Sequence, residues 1–355
     1  MKLRNRGAPS RQETVLLIVY PSPGAHTGDQ ADERVRGRAS HMHWRRGAFL
    51  IIGCAFTTTA CAGGNDETAA RSPSAEAPVT PTTPPSVTLG GDAWGAVYGF
   101  GGVWIQVDPP VDQVVKVDEV TGKVAVRIDR GATAAIAQDA VWVATGTETQ
   151  KIDPITGTVL LASQTLGASY VAVGAGGVWV PNPDGVTRLD PLTGAAVART
   201  DLDVSEVTEI AASDDAVWVT DKVGGTVTRI DPATNEVVAK IKTGYGAHHM
   251  AIDEHGVWIA NYKANTVSRI DPATNKVVAT IDHVGSGVGI TTDGESVYVS
   301  TKYQGISRID PDTNTASPVA EFAEWNYGLA YGSDELWVTS VDQERVYRMD
   351  AASLD

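Results

Sequence analysis

One phrase recurs seven times between residue 86 and the end of the chain, and its period constrains the fold more than any other feature. An aromatic within an apolar segment, as in Val257-Trp258-Ile259, is followed in the same repeat by Arg-Ile-Asp-Pro or a close variant. The aromatics are Trp104, Trp142, Trp179, Trp218, Trp258, Tyr298 and Trp337, with successive spacings of 38, 37, 39, 40, 40 and 39 residues. The aspartates of the second phrase are Asp118, Asp153, Asp190, Asp231, Asp271, Asp310 and Asp350. A period of about 40 residues, built from short alternating segments and turn residues, predicts an all-β fold: a β-propeller with one blade per repeat, hence seven blades of four strands.

The repeat from Ala251 to Ile281 shows how one blade is written. Ile252 lies in the innermost strand. Gly256 to Asn261, Thr266 to Asp271 and Lys276 to Ile281 read as strands two to four, because β-branched and aromatic residues alternate along them. Asp271 to Asn275 (Asp-Pro-Ala-Thr-Asn) and Asp253 to Gly256 (Asp-Glu-His-Gly) are the hairpins between strands. Pro fixes φ there, and Asx side chains bond their own backbone. Such short strands are unstable as isolated sheets, so each blade must bury a face on its neighbours. The repeated Trp then reads as inter-blade core rather than a ring of stacking surfaces. The repeated Asp reads as a turn-former rather than a metal ligand, since the seven sit on seven blades. The last repeat stops after its third strand, at Asp350, and the segment Ser86 to Gly90 supplies a matching fourth. The N-terminal strand is therefore expected to complete the last blade and remove an exposed edge.

The first 85 residues do not follow the repeat. Met42-His-Trp-Arg-Arg46 leads into the apolar stretch Gly47 to Ala60 and then Cys61, the layout of a secretory signal. A Cys at the cut is the lipoprotein pattern, which makes Cys61 the expected lipidation site. Its Thr58 is an imperfect match three residues upstream. Cys54 follows the better tripeptide Ile51-Ile52-Gly53 but has a short apolar core before it. With residues 42–61 as the signal, residues 1–41 read as an over-extended or disordered N-terminus. Residues 62–85 form a Pro/Thr/Ala-rich tether that lacks the apolar surface to order itself. These features together predict an extracytoplasmic, membrane-anchored or secreted protein.

Charge narrows the partners. Residues 86–355 carry 18 Lys and Arg against 36 Asp and Glu, a net −18 within a chain of −15 overall. A domain this acidic excludes nucleic acid, which needs a basic stripe, and limits membrane contact to a lipid anchor. Both cysteines, Cys54 and Cys61, precede the repeats, which removes thiol chemistry from the propeller. A monomer is expected, with an envelope protein, a peptide or a small molecule as partner.

A propeller presents variable loops around its channel, and function is grafted there. Aligning the repeats on the inner strand places Trp94, Thr133, Tyr170, Val207, His249, Gly287 and Asn326 at one ring position. Adding the neighbouring positions and the loops between strands two and three gives a ligand-binding rim of Trp94, Tyr170, Tyr262, Lys263, Tyr303, Trp325 and Tyr327. His248-His249 departs most sharply from the repeat. Either could act as base or ligand near neutral pH, with Glu206 as the carboxylate partner. Adjacent strand residues should point to opposite faces, which argues against both serving one metal.

Gly256-Val-Trp-Ile-Ala-Asn-Tyr-Lys-Ala-Asn-Thr-Val-Ser-Arg-Ile-Asp-Pro272 resembles the YVTN-type repeat of bacterial extracytoplasmic propellers. The whole ring, residues 86–355, resembles the virginiamycin B lyase-like seven-bladed propellers. That resemblance implies an alternative function. Lyase members open a cyclic depsipeptide by metal-assisted elimination, with a His base and Glu-held magnesium. By resemblance His249 or His248 with Glu206 would be the catalytic pair, and Mg²⁺ the cofactor, with no other cofactor implied. The chain has no Glu-x-His or His-x-Glu motif on the channel face, and Glu254-His255 falls on the opposite one, so a binding platform is the leading expectation.

Overall fold

The computed structural model describes residues 84–282 and 284–354. The expectations for residues 1–41, for the signal over 42–61 with Cys61 and Cys54, and for the tether up to residue 83 lie outside the described residues.

Seven four-stranded antiparallel sheets follow one another around a ring. In six of them the four strands are consecutive in sequence. The seventh joins Asn326–Gly332, Glu335–Ser340 and Arg345–Asp350 to the N-terminal strand Ser86–Thr88. Ser86 pairs with Tyr347, Val87 with Val346 and Thr88 with Arg345, so the first strand closes the last blade as the repeat count required. In blade 5 the inner strand is Ala247–Asp253, and the next three are Gly256–Asn261, Thr266–Asp271 and Lys276–Ile281.

Each repeated aromatic is buried between sheets. The six Trp and Tyr298 are all essentially inaccessible. Trp258 packs with Ile281, Ile290 and Val297 of its own and the next blade. Its indole N–H donates to Asp253 Oδ1 at 3.0 Å, and Trp104 and Trp179 likewise bond Gly99 O and Gly174 O. The Arg of Arg-Ile-Asp-Pro lies directly across from the aromatic: Trp258 pairs with Arg269, Trp218 with Arg229, Trp179 with Arg188 and Trp337 with Arg348. These guanidinium groups stack on the indoles at 5.0, 5.1, 4.9 and 5.3 Å.

The same arginines latch one blade to the next. Arg229 donates to Pro272 O and to Asn275 Oδ1 at 2.9 Å; Arg269 does so to Pro311 O and Asn314 Oδ1, and Arg188 to Pro232 O and Asn235 Oδ1. The acceptor turn is held by its own Asp. Asp271 Oδ1 takes the Ala273 N–H, and Asn275 N–H returns to Asp271 O at 2.9 Å. The turn needs a left-handed residue at its fourth step past Asp. Gly122, Gly157 and Gly194 fill that place in the first three blades, and Asn235, Asn275 and Asn314 in the next three. These are the residues that tolerate positive φ. The aspartates are therefore turn-formers. The hydrogen bonds they accept hold Asp118, Asp153, Asp190, Asp271 and Asp310 below the usual carboxylate range.

A lysine reaches neither both acceptors nor the stacked geometry. Arg229→Lys is expected to lower the unfolding free energy by about 1–3 kcal/mol, read as a shifted urea midpoint. An unchanged midpoint would mean the latch contributes nothing.

Candidate functional site

The site is built where inner strands approach the axis. Five of the seven inner strands carry a register shift there: Ala93/Ala96, Val207/Glu209, Ala247/Met250, Gly287/Ile290 and Asn326/Leu329. A bulge inserts an extra residue and re-aims the side chains beside it. In blade 5 the extra residue falls at His248-His249. The two rings therefore meet, with centroids 3.9 Å apart and an interplanar angle of 65°. The expectation that they point to opposite faces fails for this reason.

The residue nine places before each repeat aromatic forms one tier. It reads Gly95, Thr133, Tyr170, Glu209, His249, Gly289 and Gly328 around the ring. Ten places before, the next tier reads Trp94, Ala132, Ser169, Thr208, His248, Val288 and Tyr327. The glycines of the first tier let adjacent inner strands close up. A Cβ on Gly289 would meet Tyr327 O at 2.0 Å, and one on Gly328 would meet Trp94 O at 2.3 Å. The same carbonyls are held by hydroxyls from the preceding blade: Ser300 Oγ donates to Tyr327 O at 2.7 Å and Thr339 Oγ1 to Trp94 O.

A buried polar chain links the two tiers. His249 Nδ1 lies 3.3 Å from Glu209 Oε2, and its Nε2 lies 3.2 Å from the Tyr327 hydroxyl. Met250 N–H donates to Glu209 Oε2 at 2.7 Å. His249 and Glu209 are both 0 % exposed. Burial pushes the Glu209 carboxyl well above the usual carboxylate range, against the pull of the Met250 N–H. Burial also holds His249 well below the ordinary histidine value, helped by His248 and Lys222. His248 is lowered to about 3 by burial and then by the Lys222 charge. Burial raises the Tyr327 and Tyr170 phenols, and Glu209 adds to both. Burial thus disfavours the charged form of both partners in the Glu209–His249 contact.

Glu206, the carboxylate expected from sequence to serve the histidines, lies elsewhere. Its carboxylate pairs with Lys222 Nζ at 3.1 Å on the half-exposed rim. The partner of His249 is Glu209, at the equivalent position one blade earlier. Aligning on the inner strand slipped blades 4, 6 and 7 by two residues and blade 1 by one, which put Val207, Gly287, Asn326 and Trp94 in that place. Counting nine back from Trp218 gives Glu209.

Most of the expected rim does come together. Trp94 meets Tyr327 edge-on at 4.8 Å and Trp325 at 5.4 Å. Val288 and Val341 complete the cluster, with Tyr262 and Trp325 packed against it. Tyr303 tilts towards Trp325 at 6.4 Å, and Tyr262 faces His248 at 6.3 Å. Lys263 rides on the Tyr262 ring at 5.0 Å. Lys302, on the same loop as Tyr303, sits over Trp325 at 4.1 Å and Tyr303 at 5.6 Å. Tyr170 packs against the apolar core of blades 3 and 4 and is not part of the Trp94 cluster. The mouth holds three buried nitrogens without a hydrogen-bond partner: Trp94 Nε1, Trp325 Nε1 and His248 Nδ1. Glu209 Oε1 is a fourth unpartnered buried atom, one tier below.

No family model matches the sequence, and no curated protein matches it. Solved structures do. Virginiamycin B lyase from Staphylococcus aureus superposes with a TM-score of 0.64 at 15% identity, over 75% of this chain and 98% of that one. The fold is that of a virginiamycin B lyase-like seven-bladed propeller. A catalytically inactive form of the S. aureus lyase with quinupristin gives 0.63 at 16% identity, over 75% and 98%. BamB from Moraxella catarrhalis gives 0.52 at 15%, over 75% and 96%. At these identities the likeness is one of fold.

The lyase resemblance brings in Mg²⁺, and the described residues do not suit it. A hard cation of this size takes several oxygen ligands in near-octahedral array. Glu209 offers one carboxyl, its charged form penalised by burial and its Oε2 already bonded, and the other donor at hand is an imidazole. Among the described residues no three His, Cys, Asp or Glu side chains converge as a ligand set.

Proposed function

We propose that this chain is a binding propeller whose site is the aromatic and lysine-edged channel mouth. In the same reading it is carried outside the cytoplasm on a lipid at Cys61, with the tether up to residue 85 as spacer. The observation that carries the reading is the contrast between two tiers. The mouth gathers the partly exposed Trp325 and Tyr262, edged by Lys302 and Lys263, against the buried Trp94 and Tyr327, while His249 and Glu209 are sealed from solvent. A general base must reach the proton that it takes, and a sealed imidazole does not.

Lys302 and Lys263 supply cationic donors at the mouth. Charged donors bond acceptor oxygens most strongly, so a ligand rich in acceptors gains most there. The favoured class is therefore a molecule with an apolar or ring-bearing body and several carbonyl or carboxylate oxygens. The likeness to a lyase structure that holds quinupristin supports using quinupristin as the probe.

Titrating quinupristin into the protein should give saturable quenching of Trp fluorescence. Lys302→Ala should weaken binding by about tenfold or more, since it removes the cation that sits over Trp325 and Tyr303. Absence of saturation, or equal affinity in the variant, counts against the mouth as the site. The second reading, a metal-assisted lyase, would need His249 to become exposed on substrate binding.

A further inference from the structure

The outer rims of the seven blades are not alike. Each blade ends in an edge strand whose backbone groups are open to pairing, and natural sheets blunt such edges with charge, proline or brevity. Six of the seven edges here follow that rule. Val124–Asp129 carries Arg127 and Asp129; Ala196–Asp201 carries Arg199 and Asp201; Glu236–Lys242 carries three charges. Lys276–Ile281 begins on a lysine, Thr315–Ala320 contains Pro318, and Ser86–Thr88 is three residues long.

The exception is the outer strand of blade 2, Val159–Gln164, with the sequence Val-Leu-Leu-Ala-Ser-Gln. It lies at the end of its sheet. Val159 is 52% and Leu160 56% exposed, and Ile155 in the turn before it is 82% exposed. The strand sits inside a stretch from Pro154 to Pro183 that contains no Asp, Glu, Lys or Arg. In a domain of net −18 this is a long uncharged interval, and it contains the one outer edge without a guard.

We propose that this edge is a self-association surface, on which two copies of the chain pair Val159–Gln164 antiparallel about a two-fold axis. Three features select a second copy over another occupant. A two-fold axis makes an antiparallel strand pair complementary to itself, so one surface serves both partners. The strand brings no charge to its own image, while the rest of the domain repels a second copy. The exposed apolar residues flank the open backbone, so pairing buries side chains and satisfies amides together. A six-residue strand pair is smaller than the roughly 1,200–2,000 Å² of stable interfaces. The dimer is therefore weak and concentration-dependent, in place of the monomer expected from sequence.

Sedimentation equilibrium of the full chain over a wide concentration range is the test, with backbone hydrogen exchange of Val159–Gln164 as the local readout. The expected result is a reversible dimer and exchange protection of this strand that grows with concentration. Leu160→Lys should weaken association by about a hundredfold or more, because it brings two like charges close together around the axis. The same substitution on an exposed position should leave the thermal melting point within a degree or two of the parent. A monomer at all concentrations would overturn the proposal. So would a dimer that Leu160→Lys leaves intact, or protection of the strand that appears only when a different protein is added.

Discussion

Trp258→Ala is expected to lower the unfolding free energy by about 3–5 kcal/mol, the range for deleting a fully buried large aromatic. Trp258 is inaccessible to solvent and packs into the seam with blade 6. Its loss removes more than apolar area. Asp253 Oδ1 loses the indole N–H, and the Arg269 guanidinium loses the face on which it stacks while still latched to Pro311 and Asn314. The ring gives the cavity little room to collapse, since each sheet is pinned on both sides and closed by the Ser86–Thr88 strand. Urea unfolding reads the effect. A loss under about 1 kcal/mol would mean that the repeated aromatic is not the inter-blade core.

The second large effect is a dependence of stability on pH between about 4.5 and 6.5, set by the buried tier. His248 and His249 are held neutral in the fold, with values below the unfolded 6.5. Their contribution is full above pH 6.5 and is lost as pH falls, at about 1.4 kcal/mol per unit for each. Glu209 runs the other way. Its folded value lies above the unfolded 4.5, so its contribution is full below 4.5 and is lost as pH rises through the folded value. Within the window Glu209 opposes the histidines, so stability falls on acidification less steeply than the histidines alone would make it. Glu209→Gln removes the opposing group and keeps the side-chain shape, so its slope should be steeper than the parent's, by up to about 1.4 kcal/mol per unit. The turn aspartates have folded values below 3.8 and act under the window. Equal slopes in the two proteins, measured by urea unfolding at pH 6.5, 5.5 and 4.5, would refute a Glu209 whose charged form the fold disfavours.

What could be read from sequence follows from periodicity. Blade 5 has the strand bounds that alternation gives, because each hydrophobic residue there faces one sheet interface and each turn carries its own Asx or Gly signal. The closing strand was legible because the last repeat lacks a fourth strand and Ser86 to Gly90 matches one. The arginine latch was hidden, since its acceptors lie more than forty residues away on the next blade and carry no local signal. Glu209 was hidden for a different reason. The bulge adds a residue to the inner strand, so alignment by apolar alternation slips there, while the offset from the aromatic stays fixed at nine. The same bulge brings His248 and His249 together, which strict alternation forbids. The rim aromatics were found because they replace small residues at tier positions, although only the structure joins Lys302 to Trp325.

The measurement that bears most directly on a binding function is the fate of quinupristin incubated with the full chain and Mg²⁺, followed by chromatography, with a parallel Mg²⁺ titration of the melting temperature. A ligand specific for the folded state must raise stability by mass action. The account predicts quinupristin recovered unopened and a melting point that Mg²⁺ does not raise in a saturable way. Opening of the ring that requires Mg²⁺ and disappears in His249→Ala would contradict it and make the buried histidine a catalytic base.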